Sequence, residues 1–293
     1  MPVFDGATPG SAAPPYQTVA IVGVGLIGGS IGKTLLARNL ARHVIGIGRR
    51  QASLDEAEAA GTVTSTTTEL EQGVADADVV VVASPVANIV EHVVRAASAC
   101  PTVALITDAG STKVDIVTAA EAQLPPGNRF IGSHPLAGGE RRGPAAAKAN
   151  LFAGRTVVVT PTAATNPTAL VDARRFWSLL GAEVVQLTPE EHDRALAITS
   201  HLPHLIAGGL AAALPQEYRP LAASGFRDTT RTAAGDAELW VQILMSNREN
   251  VLAGIDAFDA VIHTAREALQ QGDADTLRQL LSKGKDSRDA LGN

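Results

Sequence analysis

Residues 18–22 read Thr-Val-Ala-Ile-Val and run directly into Gly23-Val24-Gly25-Leu26-Ile27-Gly28, after which a helical pattern extends to about Asn39. A β-branched run that stops at glycines and reopens as a helix leaves the chain few options. Gly23 permits the tight turn, Gly25 lets the backbone come close to a pyrophosphate, and Gly28 lets the helix pack closely on the strand. The unpaired amides and positive end of the helix then face whatever anion sits at the turn. A second strand at 43–47 completes a βαβ unit. The pattern predicts a dinucleotide held by Gly23, Gly25, Leu26, Ile27 and Gly28, with Ser84 and Pro85 after a later strand as further contacts. An acidic residue closing the second strand would take a ribose 2′-hydroxyl. Here Gly48, Arg49 and Arg50 stand instead, and guanidinium groups grip a phosphate by paired, charge-assisted hydrogen bonds. The expected cofactor is therefore NADP in preference to NAD.

Further strand patterns lie at 78–83, 102–107, 155–160 and 182–187, with a short run at Phe130 and Ile131. Helical patterns at 53–60, 88–97, 112–123 and 167–180 separate them. Such alternation predicts an α/β fold, a Rossmann-type doubly wound parallel sheet, over residues 17–188. From Pro189 onward no strand pattern occurs, and 189–213, 236–270 and 273–290 read as helices. Residues 189–293 are expected to form an all-helical dimerisation domain, because so apolar a helical region calls for a partner subunit. Residues 1–16 lack a basic start and an apolar stretch, and read as a flexible tail. The apolar segment 195–214 contains His201, Pro203 and His204, so a membrane span is not expected. Only 3% of the 293 residues are aromatic and the net charge is −6, which argues against a nucleic-acid surface. The single cysteine, Cys100, excludes an intrachain disulfide and fits a cytoplasmic protein.

Two polar segments follow strands where a doubly wound sheet binds ligands, Thr-Asp-Ala-Gly-Ser-Thr-Lys at 107–113 and Gly-Ser-His-Pro-Leu-Ala-Gly-Gly-Glu at 132–140. Ser111 or Thr112 either caps the next helix, with Asp115 completing a capping box, or serves chemistry. His134 is expected in a glycine-rich loop, where an imidazole of ordinary pKa is suited to general-base work. His201 and His204 share a helix face if the helix persists, with a kink at Pro203. No HExxH pattern or cysteine cluster occurs, so no metal is expected. Arg227 and Arg231 read either as a carboxylate clamp or as a pair of surface arginines.

These motifs carry a resemblance. VGLIGGSI at 24–31, DAGSTK at 108–113, GSHPLAGGERRG at 132–143, LFAGR at 151–155, SHLPH at 200–204 and GFRDTTR at 225–231 are similar to those of the prephenate/arogenate dehydrogenase family of tyrosine biosynthesis. The resemblance runs from about Val19 to Phe258 and implies oxidative decarboxylation of a cyclohexadienyl acid with hydride transfer to a nicotinamide cofactor. It implies that His134 is the general base toward the substrate hydroxyl and that Ser111 helps to orient it. It implies that Arg231 binds a substrate carboxylate, with Arg227 beside it, and that His204 faces the substrate. Glu140, Asp228 and Trp240 match a polar gate, whereas Gly139 departs from a threonine that many members carry. Arg141 and Arg142 beside Glu140 tilt the expectation toward prephenate, with arogenate or dual use as the alternative. A homodimer through the helical region is implied, with the site between that region and the dinucleotide domain. Two competitors remain. A β-hydroxyacid dehydrogenase would need a lysine that 189–281 lacks; a non-catalytic dinucleotide sensor would need neither His134 nor Arg231.

Overall fold

The structure is a computed structural model, described for residues 13–139 and 143–292. It divides into two compact units. The first runs to Asp193 and takes back Ala234–Ser246, and the second holds Arg194–Ala233 and the residues from Asn247 onward.

In the first unit the chain alternates β1 (Tyr16–Val22), α1 (Leu26–Ala37), β2 (Ala41–Ile47), α2 (Gln51–Ala59), β3 (Ser65–Thr67), α3 (Leu70–Val74), β4 (Val79–Val82), α4 (Val86–Ala99), β5 (Leu105–Asp108) and α5 (Val114–Glu121). It continues through β6 (Phe130–Pro135), β7 (Thr156–Thr160), α6 (Pro167–Leu179) and β8 (Glu183–Gln186). The sheet order is β3-β2-β1-β4-β5-β6-β7-β8. This is the expected doubly wound sheet with one correction, since β6 and β7 pair antiparallel. Between them lies only a short 3-10 turn at Pro144–Ala146 among the described residues, whereas a parallel return needs a full crossover element.

Tyr16, expected in the tail, already belongs to β1 and pairs with Ala41 of β2. β3, a polar three-residue edge strand, and α3 lie in a stretch where the sequence predicts neither. The central strands are apolar on both faces because both faces are covered. Val19, Ile21, Val79, Val81, Leu105 and Ile131 pack with Ile31 and Leu35 of α1 and Phe176 and Trp177 of α6. Their neighbours Ala20, Val22, Val80, Val82 and Ile106 point the other way, onto Ile89 and Val93 of α4 and Ile116 of α5. Burying each such aliphatic side chain contributes roughly 1.5–3 kcal/mol.

A helix α7 (Pro189–Leu196), a π-helical turn at Ala197–His201 and α8 (Leu202–Ala212) follow. The break expected at Pro203 is taken up by this widened turn: proline has no N–H to close the ordinary helical bond, and it sits here in the first turn of α8. Next come α9 (Ser224–Thr230), α10 (Ala237–Ser246), α11 (Arg248–Gln271) and α12 (Ala274–Asp289). In the second unit, α11 packs on the π-helical turn at Gly254, where a Cβ would come within 2.9 Å of Ile198 Cδ1. Gly272 ends α11 in the left-handed region at φ 69°, and the Asp273 carboxylate accepts the first amides of α12. The helical stretch Pro189–Ala212 is long and apolar enough to cross a membrane by length and composition.

Candidate active site

The three glycines of the first turn serve three distinct ends. Gly23 has φ 98°, and a Cβ there would lie 2.6 Å from the Ala83 carbonyl oxygen. At Gly28 a Cβ would lie 2.0 Å from the Gly23 carbonyl oxygen, so helix and strand meet at backbone distance. Gly25 precedes α1 with no side-chain cap and has nothing within 4 Å of its Cβ position. It opens on a cavity of about 810 Å³. Around the same cavity stand Leu26, Ile27, Arg49, Arg50, Ser84 and Pro85, so the structure brings the expected cofactor-binding residues together. Arg49 and Arg50 are exposed, and neither forms an ion pair among the described residues. Ser53 and Thr68 line the cavity with them. Ser84 Oγ is held 2.8 Å from His92 Nδ1, and burial pushes that imidazole's pKa down.

Beyond the glycine turn, the carboxyl end of β5 is knitted to β6 by buried polar groups. Asp108 accepts from the amides of Gly110 (2.8 Å) and Ser133 (2.9 Å) and from the Lys113 ammonium. Lys113 and Asp108 are fully buried. Burial pushes the lysine below its ordinary pKa, and Asp108 opposes that shift. Thr107 Oγ1 lies 2.7 Å from Ser133 Oγ. A buried pair of this kind contributes little net stability but fixes one arrangement of the loop it spans.

Of the two alternatives for Ser111 and Thr112, the side-chain cap of α5 is not formed. Thr112 Oγ1 lies 3.1 Å from Ser246 Oγ, and Ser246 donates to Asp115 at 2.8 Å. The free amides of Lys113 and Val114 instead donate to the two oxygens of Asp193, at 2.7 and 2.9 Å. A carboxylate at a helix start satisfies the orphan donors and the dipole together.

His134 lies within β6 rather than in a loop, because the backbone from Gly132 to Pro135 pairs with Thr160 to Val157. Its Nδ1 is 2.9 Å from His192 Nε2, and His192 Nδ1 is 2.7 Å from Asp193 Oδ1. The two rings meet edge to face, with centroids 5.1 Å apart. His192 is completely buried, and that burial drives its pKa down. His192, Asp193, Asp108 and Lys113 are thus polar residues of the site to which sequence reasoning gave no role. A His-Asp pair at the start of a helix was the one available signal.

Ser111 lines the cavity, as do Ala137, Gly138, Gly139 and Trp240. Ser111 forms no hydrogen bond with His134, whose ring is held by His192. Gly139 has room for a side chain, its Cβ position being 3.9 Å from Leu26 Cδ2. Glu140, Arg141 and Arg142 lie outside the described residues. In the second unit His201 is buried, its Nδ1 3.1 Å from Asn247 Nδ2. His204 is half-buried on α8, and burial lowers its pKa. Arg227 and Asp228 are exposed on α9, where Arg227 Nε donates to the Ala222 carbonyl. Arg231, also exposed, opens the 3-10 turn that follows. Cys100 is half-buried and burial pushes its thiol pKa up. Among the described residues no three His, Cys, Asp or Glu side chains converge as a metal site.

The strand order, the glycine turn and the cavity it opens on define a dinucleotide-binding protein of the doubly wound class. Residues 31–186 match the model for the prephenate dehydrogenase nucleotide-binding domain, and residues 188–283 match that for the prephenate dehydrogenase dimerization domain. The chain belongs to the prephenate dehydrogenase family. It is 33% identical to the prephenate dehydrogenase of Bacillus subtilis, over 94% of this chain and 76% of that one. To the cyclohexadienyl dehydrogenase of Zymomonas mobilis it is 32% identical, over 94% and 96%. Among solved structures it is similar to prephenate dehydrogenase from Aquifex aeolicus in complex with hydroxyphenyl propionate and NAD+. That similarity has a TM-score of 0.86 at 31% identity and covers 94% of this chain and 98% of the other.

Proposed function

We propose that this protein oxidatively decarboxylates prephenate to 4-hydroxyphenylpyruvate with NADP as the preferred hydride acceptor. The observation that carries this reading is the imidazole of His134, held by a hydrogen bond at the carboxyl end of β6 in the sheet whose glycine turn opens on the cavity. The cofactor, when bound, accepts the hydride from ring C4. His134 takes the proton of the ring 4-hydroxyl as that hydride leaves. The bond to the ring carboxylate then breaks, its electron pair aromatises the ring, and the proton returns to the phenolic oxygen. Aromatisation supplies the driving force, so orientation of one hydroxyl and one hydride path is the main task left to the protein.

Ser111 assists at the cofactor side of the hydroxyl. Arg231, with Arg227 nearby in sequence, anchors a substrate carboxylate; His204, Asp228 and Glu140 complete the recognition. NADP is favoured because Arg49 and Arg50, exposed beside Ser53 and Thr68, offer guanidinium donors where a carboxylate would select NAD. We place the enzyme in the cytoplasm as a homodimer through its helical part, with neither nucleic acid nor membrane as partner. The match to a dimerization-domain model supports the homodimer.

A second reading, arogenate or dual use, has its support in the Zymomonas relative named for cyclohexadienyl substrates. The test is a four-way assay of purified protein with prephenate or arogenate and NADP or NAD, following absorbance of the reduced cofactor. Fastest turnover with prephenate and NADP is expected. Faster turnover with arogenate installs the second reading, and no reduction in any combination overturns both.

A further inference from the structure

A histidine that acts as a base must present a lone pair to its substrate and keep its proton on the other nitrogen, and the partner of that other nitrogen decides which is which. Here the decision can be followed from the far end of a chain of three residues. Asp193 accepts two backbone amides, one on each oxygen, and a carboxylate is an acceptor only. His192 Nδ1, 2.7 Å from Asp193 Oδ1, is therefore the donor of that pair. Fully buried, His192 is held neutral, so its Nε2 is a lone pair. His134 Nδ1, 2.9 Å from that lone pair, is left with the role of donor. Neutral His134 thus carries its proton on Nδ1 and a lone pair on Nε2.

We infer that His192 and Asp193 are positioning residues that fix the tautomer and ring orientation of His134 and support the imidazolium formed during turnover. The inference rests on the reading of His134 as the base. In that step the hydroxyl O–H bond breaks, an N–H bond forms at His134 Nε2, and the electron pair stays on oxygen. The cation so formed donates its Nδ1–H to a neutral imidazole, with the Asp193 charge one ring further away. Lys113 and Asp108 also act on His192, and their opposite charges form a buried pair. A carboxylate bonded directly to His134 would raise its pKa strongly. His192 stands between His134 and Asp193 and orients the base through its ring. Asp193 at the same time caps α5, which follows the Ser111 loop, so one side chain ties helix start and base together.

The test reads the tautomer directly. Nitrogen-15 NMR of imidazole-labelled wild-type protein is expected to show His134 protonated on Nδ1; protonation on Nε2 overturns the inference without any variant. His192→Leu removes the acceptor and is expected to lower kcat by roughly 10²-fold, move His134 toward the Nε2–H form, and leave cofactor Kd unchanged. His192→Gln, whose amide oxygen can accept from Nδ1–H, is expected to recover most of the activity. A merely structural role predicts loss in proportion to folded fraction, with the pH profile of the remaining enzyme unmoved; that result sinks the inference. His134→Asn serves as the control. If it keeps full turnover, the reading of His134 as base fails, whatever the tautomer measurement shows.

Discussion

In the first unit Val19, Ala20 and Ile21 of the central strand are completely buried, whereas in the second Leu252 and Val261 of α11 are 48% and 45% exposed. The first unit closes its core within one chain and sets polar residues into it as matched groups: Asp108 with Lys113, Asp193 with two amides and an imidazole. The second spends its long helices on surfaces that carry Leu205, Leu210, Phe258 and Ile262 into solvent. Exposed apolar area on this scale marks an association surface. The contrast teaches that one unit fixes its polar groups in a closed interior, whereas the other leaves apolar side chains on its exterior. Substitutions in the two should therefore fail in different ways.

The largest effect is expected at the centre of the first unit. His134→Asn should lower kcat by roughly 10²–10⁴ and leave cofactor affinity unchanged, because only a proton acceptor is lost. Stopped-flow turnover with separate cofactor titration checks this, and an undiminished kcat removes the assigned base. A smaller effect is expected at Arg231 of the second unit. Arg231→Ala should raise the KM for substrate by about 10- to 100-fold, the loss of one charge-assisted hydrogen bond. A KM that does not move would confine the second unit to assembly and sharpen the contrast.

That contrast was only partly legible in the sequence. β1 and β4 were readable because strands buried on both faces are continuous apolar runs that local periodicity reveals. β3 was not, since Ser65–Thr67 is polar and pairs only at the sheet edge. Gly-Ser-His-Pro has the composition of a loop, and its backbone becomes a strand only because Val157 to Thr160 runs alongside it. The start of α5 teaches the same lesson. Thr112 and Asp115 carry a capping-box spacing, yet the amides are taken by a carboxylate 80 residues away. His192 lies between Glu191 and Asp193 near a helix start, and its burial depends on packing that no local pattern encodes. The site was legible where it depends on turn chemistry and hidden where it depends on distant pairing.

The next prediction sets assembly against folding. Phe258→Asp on α11 places a charge on an apolar exposed face. We expect it to shift the protein from dimer to monomer in light scattering with little change in the unfolding of the first unit. A protein that is monomeric before the change breaks the comparison. Within the first unit, Gly28→Ala should cost about 1–3 kcal/mol, because its Cβ would overlap the Gly23 carbonyl. Gly25→Ala, with open space around it, should leave thermal unfolding unchanged and weaken cofactor binding alone. Equal Tm losses in both variants would contradict the separate duties of the two glycines.

The smallest effect is expected at Arg49 and Arg50, which are exposed and unpaired by any carboxylate among the described residues. Solvent screens a surface guanidinium, so its grip on a phosphate is worth far less than the same contact in a closed site. Each single change to Ala should raise the KM for NADP by about tenfold, in keeping with one charge-assisted contact at a wet edge. The KM for NAD, which lacks the 2′-phosphate, should stay where it is. The effect should shrink as salt is added, because the Debye length falls to about 3 Å at 1 M. If NADP and NAD respond alike, the two arginines act on a phosphate common to both cofactors, and the basis for an NADP preference disappears while the dinucleotide site itself remains.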